Sequence, residues 1–270
     1  MRPLGACPAA TLAAIRFVLT DIDDTLTVAG RLPARAYDAM ERLHDAGLLV
    51  VPITGRPAGW CDLIARQWPV DAVVGENGAF YFRYDDGRYD DSERRMIRRY
   101  WKSAAERQAD RARLTRIEAD ILAAVPGARV AADQAYREAD LAIDVSEDVA
   151  PLSDAEVARV VGLFRAAGAT AKLSSIHVNG WFGAYDTLGM TRRLFAEVFA
   201  TDLDAARAAV AFAGDSPNDA PLFAFFPNAV GVANVLDFAG RLDHEPAWVT
   251  AARGADGFVE LARAILAARA

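Results

Sequence analysis

Short continuous apolar runs alternate along the chain with segments whose apolar residues recur every three to four positions, the pattern of strands alternating with helices. The runs Ile15 to Thr20, Leu48 to Ile53 and Asp71 to Val74 predict strands. Between them Pro33 to Ala46 predicts a helix with Tyr37, Met40 and Leu43 on one face and Gly47 as its stop, and Ala58 to Gln67 predicts a second. This order implies a parallel sheet with right-handed crossovers. After Gly78 the pattern changes. Ala79 to Tyr84 with the turn Asp85-Asp86-Gly87 predicts a hairpin, and Ser92 to Ala124 a long helix whose arginines and glutamates make a solvated face. Leu141 to Val145 predicts a strand, Asp154 to Ala167 a helix closed by Gly168, and Ala171 to Val178 a strand. The alternation then resumes with helix Met190 to Phe199, strand Val210 to Ala213, a helix from Pro217, strand Ala229 to Ala233 and a last helix from Gly257. The expected fold class is therefore α/β, a Rossmann-like core on a parallel sheet with an inserted α/β domain. The core takes 15–82 and 182–270, the insert 83–181, and residues 1–14 form a poorly ordered tail.

Polar chemistry gathers where the predicted strands end. Phe17-Val18-Leu19 runs into Thr20-Asp21-Ile22-Asp23-Asp24-Thr25, which sets Asp21 and Asp23 two positions apart with Ile22 facing the other way. Clustered carboxylates repel, so a strand end that carries three is costly unless a cation or phosphate chemistry uses it. A second strand ends in Thr54-Gly55-Arg56, a third in Gly214-Asp215-Ser216-Pro217-Asn218-Asp219, and a fourth in Gly75-Glu76-Asn77-Gly78. Four strands that deliver polar groups at their carboxyl ends describe one site on one edge of a parallel sheet. Singly, each junction is equally a turn or a helix start.

These motifs resemble those of the haloacid dehalogenase superfamily of phosphohydrolases, and within it the Cof-like subclass IIB of sugar-phosphate phosphatases and phosphomannomutase-like enzymes. Asp21-x-Asp23-x-Thr25, Thr54 with its Gly55-Arg56, and Gly214-Asp215-x-x-Asn218-Asp219 match in turn, and Glu76-Asn77-Gly78 is similar to the subclass. The insert has the position and size of that subclass's cap. The resemblance implies that Asp21 is the nucleophile that forms an aspartyl-phosphate and Asp23 the acid and base. It implies Mg²⁺ held by the Asp21 carboxylate, the Asp23 carbonyl and Asp215, with Asp219 direct or through water. Thr54, Gly55, Arg56, Asn77, Ser216 and Asn218 become phosphate- or substrate-binding candidates; Arg56 could equally form a structural salt bridge, and the lesser alternative for Asp219 is a helix-capping acid.

The family's third motif carries a lysine, and the aligned position here is Thr187, which donates a hydrogen bond but bears no charge. The chain has two lysines, Lys102 and Lys172; Lys172 falls about fifteen residues early, on a predicted cap strand, and is not expected to substitute directly. His177 and Asn179 sit where the cap should face the core and are candidate substrate contacts, whereas His44 and His244 are isolated. The implied activity is a Mg²⁺-dependent phosphatase acting on a small phosphorylated metabolite, a sugar phosphate or phosphoglycerate derivative. The alternatives are a phosphomutase of the same chemistry, or a catalytically weak phosphate-binding relative because of Thr187.

Composition narrows the partners. The 270 residues fit one large domain or two modest ones, and 53% hydrophobic residues supply an ordinary core. A net charge of −7 and a pI near 5.1 argue against nucleic acid, but not against an anionic substrate, because a bound divalent cation reverses the local sign. Two cysteines without motif spacing suit a reducing cytoplasm. No apolar run is long enough to span a membrane. Leu4-Gly5-Ala6-Cys7 resembles a lipoprotein cleavage box, but only six residues precede Cys7. Oligomeric state is left open.

Overall fold

The computed structural model describes residues 1–85, 94–174 and 176–270. Its centre is a parallel sheet of six strands in the order Arg2–Pro3, Trp248–Val249, Asn228–Gly231, Val210–Gly214, Phe17–Thr20, Leu49–Pro52. Alternation decides which face each residue packs on. Val18, Val50 and Ala211 join the cluster under helices Ala34–Asp45 and Gly254–Arg269, while Phe17, Leu19, Val51 and Phe212 join the cluster under Thr187–Val198 and Ala220–Phe225. Both faces are covered, so the strands read as unbroken apolar runs, the pattern of a parallel sheet with helices on both sides.

Strand Val73–Gly75 is linked to the sheet by the Ile53–Val74 bridge and pairs with Phe80–Asp85, which pairs with Arg95–Tyr100. The cap is a second, antiparallel sheet in the order Arg129–Val130, Leu141–Asp144, His177–Trp181, Thr170–Leu173. Helices Ala104–Ala124 and Asp154–Ala166 cover one of its faces, burying Ile117, Ile121, Val160 and Phe164 against Ile143 and Val178. The neighbours of Val178, His177 and Asn179, must then point the other way, toward the core.

Several expectations change. Residues 1–14 are not a loose tail. Arg2–Pro3 is an edge strand beside Trp248–Val249, Leu4 is buried in the core, the Arg2 guanidinium lies 3.8 Å from the Trp248 ring centroid, and Ala9–Ala13 is a helix against Gly254–Arg269. The helix expected from Ser92 begins only at Ala104, because Arg95–Tyr100 pairs as a strand and sets Tyr100 edge-on to Phe80 and Phe82. A Ser103/Glu106 capping box then starts the helix. The insert boundary at 83 accordingly falls inside a strand, and the cap's own sheet and helices begin after Tyr100. The single strand expected over Ala171–Val178 is two, folded back where the Ser174 amide donates to the His177 carbonyl at 2.8 Å. The expected turn at Asp85-Asp86-Gly87 lies outside the described residues.

Candidate active site

Asp21 directly follows the central strand, where its amide donates to the Ala213 carbonyl at 2.9 Å and its carbonyl accepts from the Thr20 hydroxyl at 2.8 Å. The adjoining strand ends in Asp215, and the strand on the other side leads to Thr54, Gly55 and Arg56. A cleft between these strand ends and the cap is lined by Asp21, Asp23, Gly55, Arg56, Asn77, Asp215, Ser216 and Asn218 from the expected set. Three expected residues do not line it. Thr54 is buried beneath, with its hydroxyl accepting from the Arg56 amide at 3.0 Å. Thr187 opens the helix Thr187–Val198, whose start presses on Gly78; a Cβ there would sit 2.1 Å from the Asp186 carbonyl oxygen, and only glycine fits at its φ of +100°.

The third, Asp219, is committed to its own loop. Its Oδ2 accepts from the amides of Asp215 at 2.9 Å and Ser216 at 3.2 Å, while the Ser216 hydroxyl donates to Asn218 Oδ1 at 2.7 Å. The carboxyl group lies flat on Gly214, where a Cβ would meet Asp219 Cγ at 2.6 Å. The Gly-Asp-x-x-Asn-Asp pattern thus has a local physical meaning: the last acid caps the turn that aims Asp215 into the cleft.

Negative charge is concentrated here. Burial first, then the charges of Asp219, Asp215 and Asp23, push the Asp21 carboxyl well above the usual range. Burial and Asp219 push Asp215 up to about 8, and burial raises Asp219 to about 6. The native state therefore keeps a proton on Asp215 that the unfolded chain releases near its ordinary value of 3.8. Stability of the metal-free protein is expected to fall as pH rises from about 4 to about 8. Melting temperatures at pH 5 and pH 8 in a chelator should show it, and Asp215→Asn should flatten the slope; a slope unaltered by that substitution would refute the assignment.

Among the described residues no three acidic, histidine or cysteine side chains converge as a ready metal cluster. The expected set was Asp21, the Asp23 carbonyl, Asp215 and, directly or through water, Asp219; with Asp219 Oδ2 taken by the amides of Asp215 and Ser216, two carboxylates and one carbonyl remain. Those donors are all oxygen, and they carry mutually repelling charge that a hard divalent cation would relieve, so the residues fit Mg²⁺.

The cap is seated by charged groups, of which sequence reasoning singled out Arg56 and Asp23 but not Glu147, Arg137, Asp133 or Asp140. Arg56 donates to both Asp23 oxygens, at 2.8 and 2.9 Å, and to Glu147 of the cap at 2.9 Å. Glu147 also lies 2.9 Å from His177 Nε2; His177 first and then Arg56 hold its carboxyl down at about 2. Arg137, fully buried, binds Asp133 and Asp140 of the cap and donates to the Gly55 carbonyl at 3.0 Å. Asn179 donates to Asp140 at 2.9 Å. Glu76 of the core accepts from Ala58 and from three successive cap amides, Glu138, Ala139 and Asp140. Glu76→Ala would leave those donors buried and unpaired, and should cost about 3 kcal/mol or more. Chemical denaturation would measure it, and a loss under about 1 kcal/mol would mean that water replaces the carboxylate.

Of the cap residues that line the cleft, His177 and Asn179 were expected. Lys172, Arg137, Ser174 and Ile176 were not. Contrary to expectation Lys172 reaches the site, because Asn179 is its cross-strand partner and the two share the core-facing side of the cap sheet. The signal available was the period of two, with Ala171 packing inside the cap and Lys172 on the opposite face.

The model of the haloacid dehalogenase-like hydrolases matches residues 18–98. Comparison with curated protein sequences gave no match. Among solved structures, a Thermoplasma acidophilum protein superposes with a TM-score of 0.69 at 16% identity, covering 93% of this chain and 98% of that one. A sugar phosphatase described as haloacid dehalogenase subclass IIB superposes at 0.59 with 14% identity, over 92% and 98% of the two chains. The sucrose-phosphatase of Synechocystis, solved with sucrose and phosphate, gives 0.59 at 14% identity over 92% and 97%. Residues 18–98 match the haloacid dehalogenase-like hydrolase family, and over 92–93% of its length the chain shares the fold of these three solved structures, a core with a cap domain.

Proposed function

We propose that the protein is a Mg²⁺-dependent phosphatase of small phosphorylated metabolites, with sugar phosphates as the first class to test. The observation that carries this reading is the meeting of Asp21, Asp23 and Asp215 in one cleft at the strand ends, under a cap whose roof is polar. Hydrolysis would proceed in two displacements. An Asp21 oxygen attacks phosphorus and forms an acyl phosphate while the P–O bond to the substrate breaks, and Asp23 gives its proton to the leaving oxygen. Asp23 then takes a proton from water, which attacks the same phosphorus and frees both inorganic phosphate and the Asp21 carboxylate. Arg56 orients Asp23 by gripping its carboxylate. A Mg²⁺ ion held by Asp21, Asp215 and the Asp23 carbonyl would supply neutralisation of the phosphate's charge.

The seated cap excludes bulky substrates, so phosphorylated protein or nucleic acid is disfavoured. Ser174, His177 and Asn179 on the roof offer hydrogen-bonding groups to a hydroxyl-rich leaving group, consistent with fold relatives that act on sugar phosphates. No helix among the described residues is long and apolar enough to cross a membrane, which agrees with a metabolite enzyme. The test is a panel of phosphorylated metabolites assayed for inorganic phosphate with and without Mg²⁺. Metal-dependent release from one chemical class is the expected result, and release from none would refute the reading.

A further inference from the structure

The phosphatase reading leaves one charge missing. A phosphoryl group brought against Asp21 needs a cation besides the metal to offset the charge developing on its oxygens, and the core position expected to supply a lysine holds Thr187, outside the cleft. We propose that Lys172, carried by the cap strand Thr170–Leu173, supplies this cation to the phosphate, so that the site is electrostatically complete only while the cap is seated. The inference rests on the phosphatase reading and names what completes its site.

The other cations near the cleft are committed. Arg56 is held by Asp23 and Glu147, and Arg137 by Asp133 and Asp140. Lys102, the second lysine, pairs with the buried Asp110 at 2.5 Å and does not line the cleft. Lys172 differs. It lines the same cleft as Asp21, Asp215 and Asn218; burial lowers its ammonium below the usual lysine range, and the charges of Asp219, Asp21 and Asp186 oppose that shift and favour the cation. Among the described residues no carboxylate closes a salt bridge with it. A cation turned into a cleft without a direct counter-ion is poorly compensated until an anion arrives. The fold keeps it there by register. Lys172 stands opposite Asn179, whose amide is fixed on Asp140, and Ala171 anchors the strand in the cap's own core. Because the strand belongs to the cap, the charge reaches phosphate only when the Glu76, Arg56 and Arg137 contacts have docked cap on core. Cap opening would then release product by withdrawing both the roof and a counter-ion.

The test compares wild type, Lys172→Met and Lys172→Arg on the phosphomonoester found by the metabolite panel. Methionine keeps the apolar stem without the charge, and loss of one hydrogen bond to a charged group should lower kcat about ten- to 150-fold with KM changed much less. Arginine should recover most of that loss. Wild-type kcat in Lys172→Met, or an equal loss in Lys172→Arg, would overturn the proposal; melting temperature and circular dichroism establish that each variant is folded. If wild type releases phosphate from nothing, the phosphatase reading fails by itself. Lys172 is then judged by calorimetric binding of inorganic phosphate in the presence of Mg²⁺. At least tenfold weaker binding in Lys172→Met supports its role, and equal affinity, or none by wild type, overturns it.

Discussion

Asp21→Asn is expected to abolish turnover, by about 10⁴-fold or more, while making the metal-free protein more stable. An amide has nearly the shape of the carboxylate but cannot form the acyl phosphate, so the loss falls on kcat rather than on binding. The stability gain has a separate cause. Asp21 is buried at the end of the central strand within the field of Asp23, Asp215 and Asp219, and removing its charge relieves that repulsion. A melting curve in chelator and a phosphate-release assay read the two effects independently. Retention of more than about a tenth of wild-type kcat would contradict the nucleophile assignment; an unchanged melting temperature would contradict the electrostatic account of the cluster.

Metal removal should have an effect of the same kind. With chelator the rate should fall by about 10³-fold or more and return with Mg²⁺, because the phosphate would otherwise approach carboxylates already repelling one another. Asp215→Asn should reproduce most of that loss even in saturating Mg²⁺, since Asp219 is held by backbone amides and is poorly placed to take over. Ca²⁺ should compete without supporting turnover, because it takes more ligands at longer distances and spoils in-line geometry. Full activity in chelator, or in Asp215→Asn, would remove the metal from the account.

Much of this architecture was legible in the chain. The parallel core was, because strands buried on both faces are continuous apolar runs, and because Asp21, Thr54 and Asp215 mark three successive strand ends. The cap was legible only in outline. Arg95–Tyr100 has a helical composition, and only pairing with Phe80–Asp85 makes it a strand, although Ser103-x-x-Glu106 announced where the helix begins. The ordering of residues 1–14 depends on Trp248 and Gly254–Arg269, more than two hundred residues away, which no local pattern reports. Within the site, motif spacing identified which carboxylates gather but not which ones stay available. Asp219 turned out to serve its loop and Thr54 to lie beneath the cleft, because both are decided by hydrogen bonds to neighbouring amides. Lys172 was set aside on sequence distance from Thr187. Pairing of Thr170–Leu173 with His177–Trp181 puts Lys172 opposite Asn179 and into the cleft that Asp21 lines.

The central claim is that phosphate passes through a covalent bond to Asp21. Wild-type protein, Mg²⁺ and the phosphomonoester identified by the metabolite panel can be mixed with the ester labelled in phosphorus, quenched in acid within milliseconds, and digested for mass spectrometry. The account predicts label on the peptide containing Asp21, removed by hydroxylamine as an acyl phosphate is, and missing in Asp21→Asn. Turnover with no labelled peptide, or with label on another residue, would contradict it.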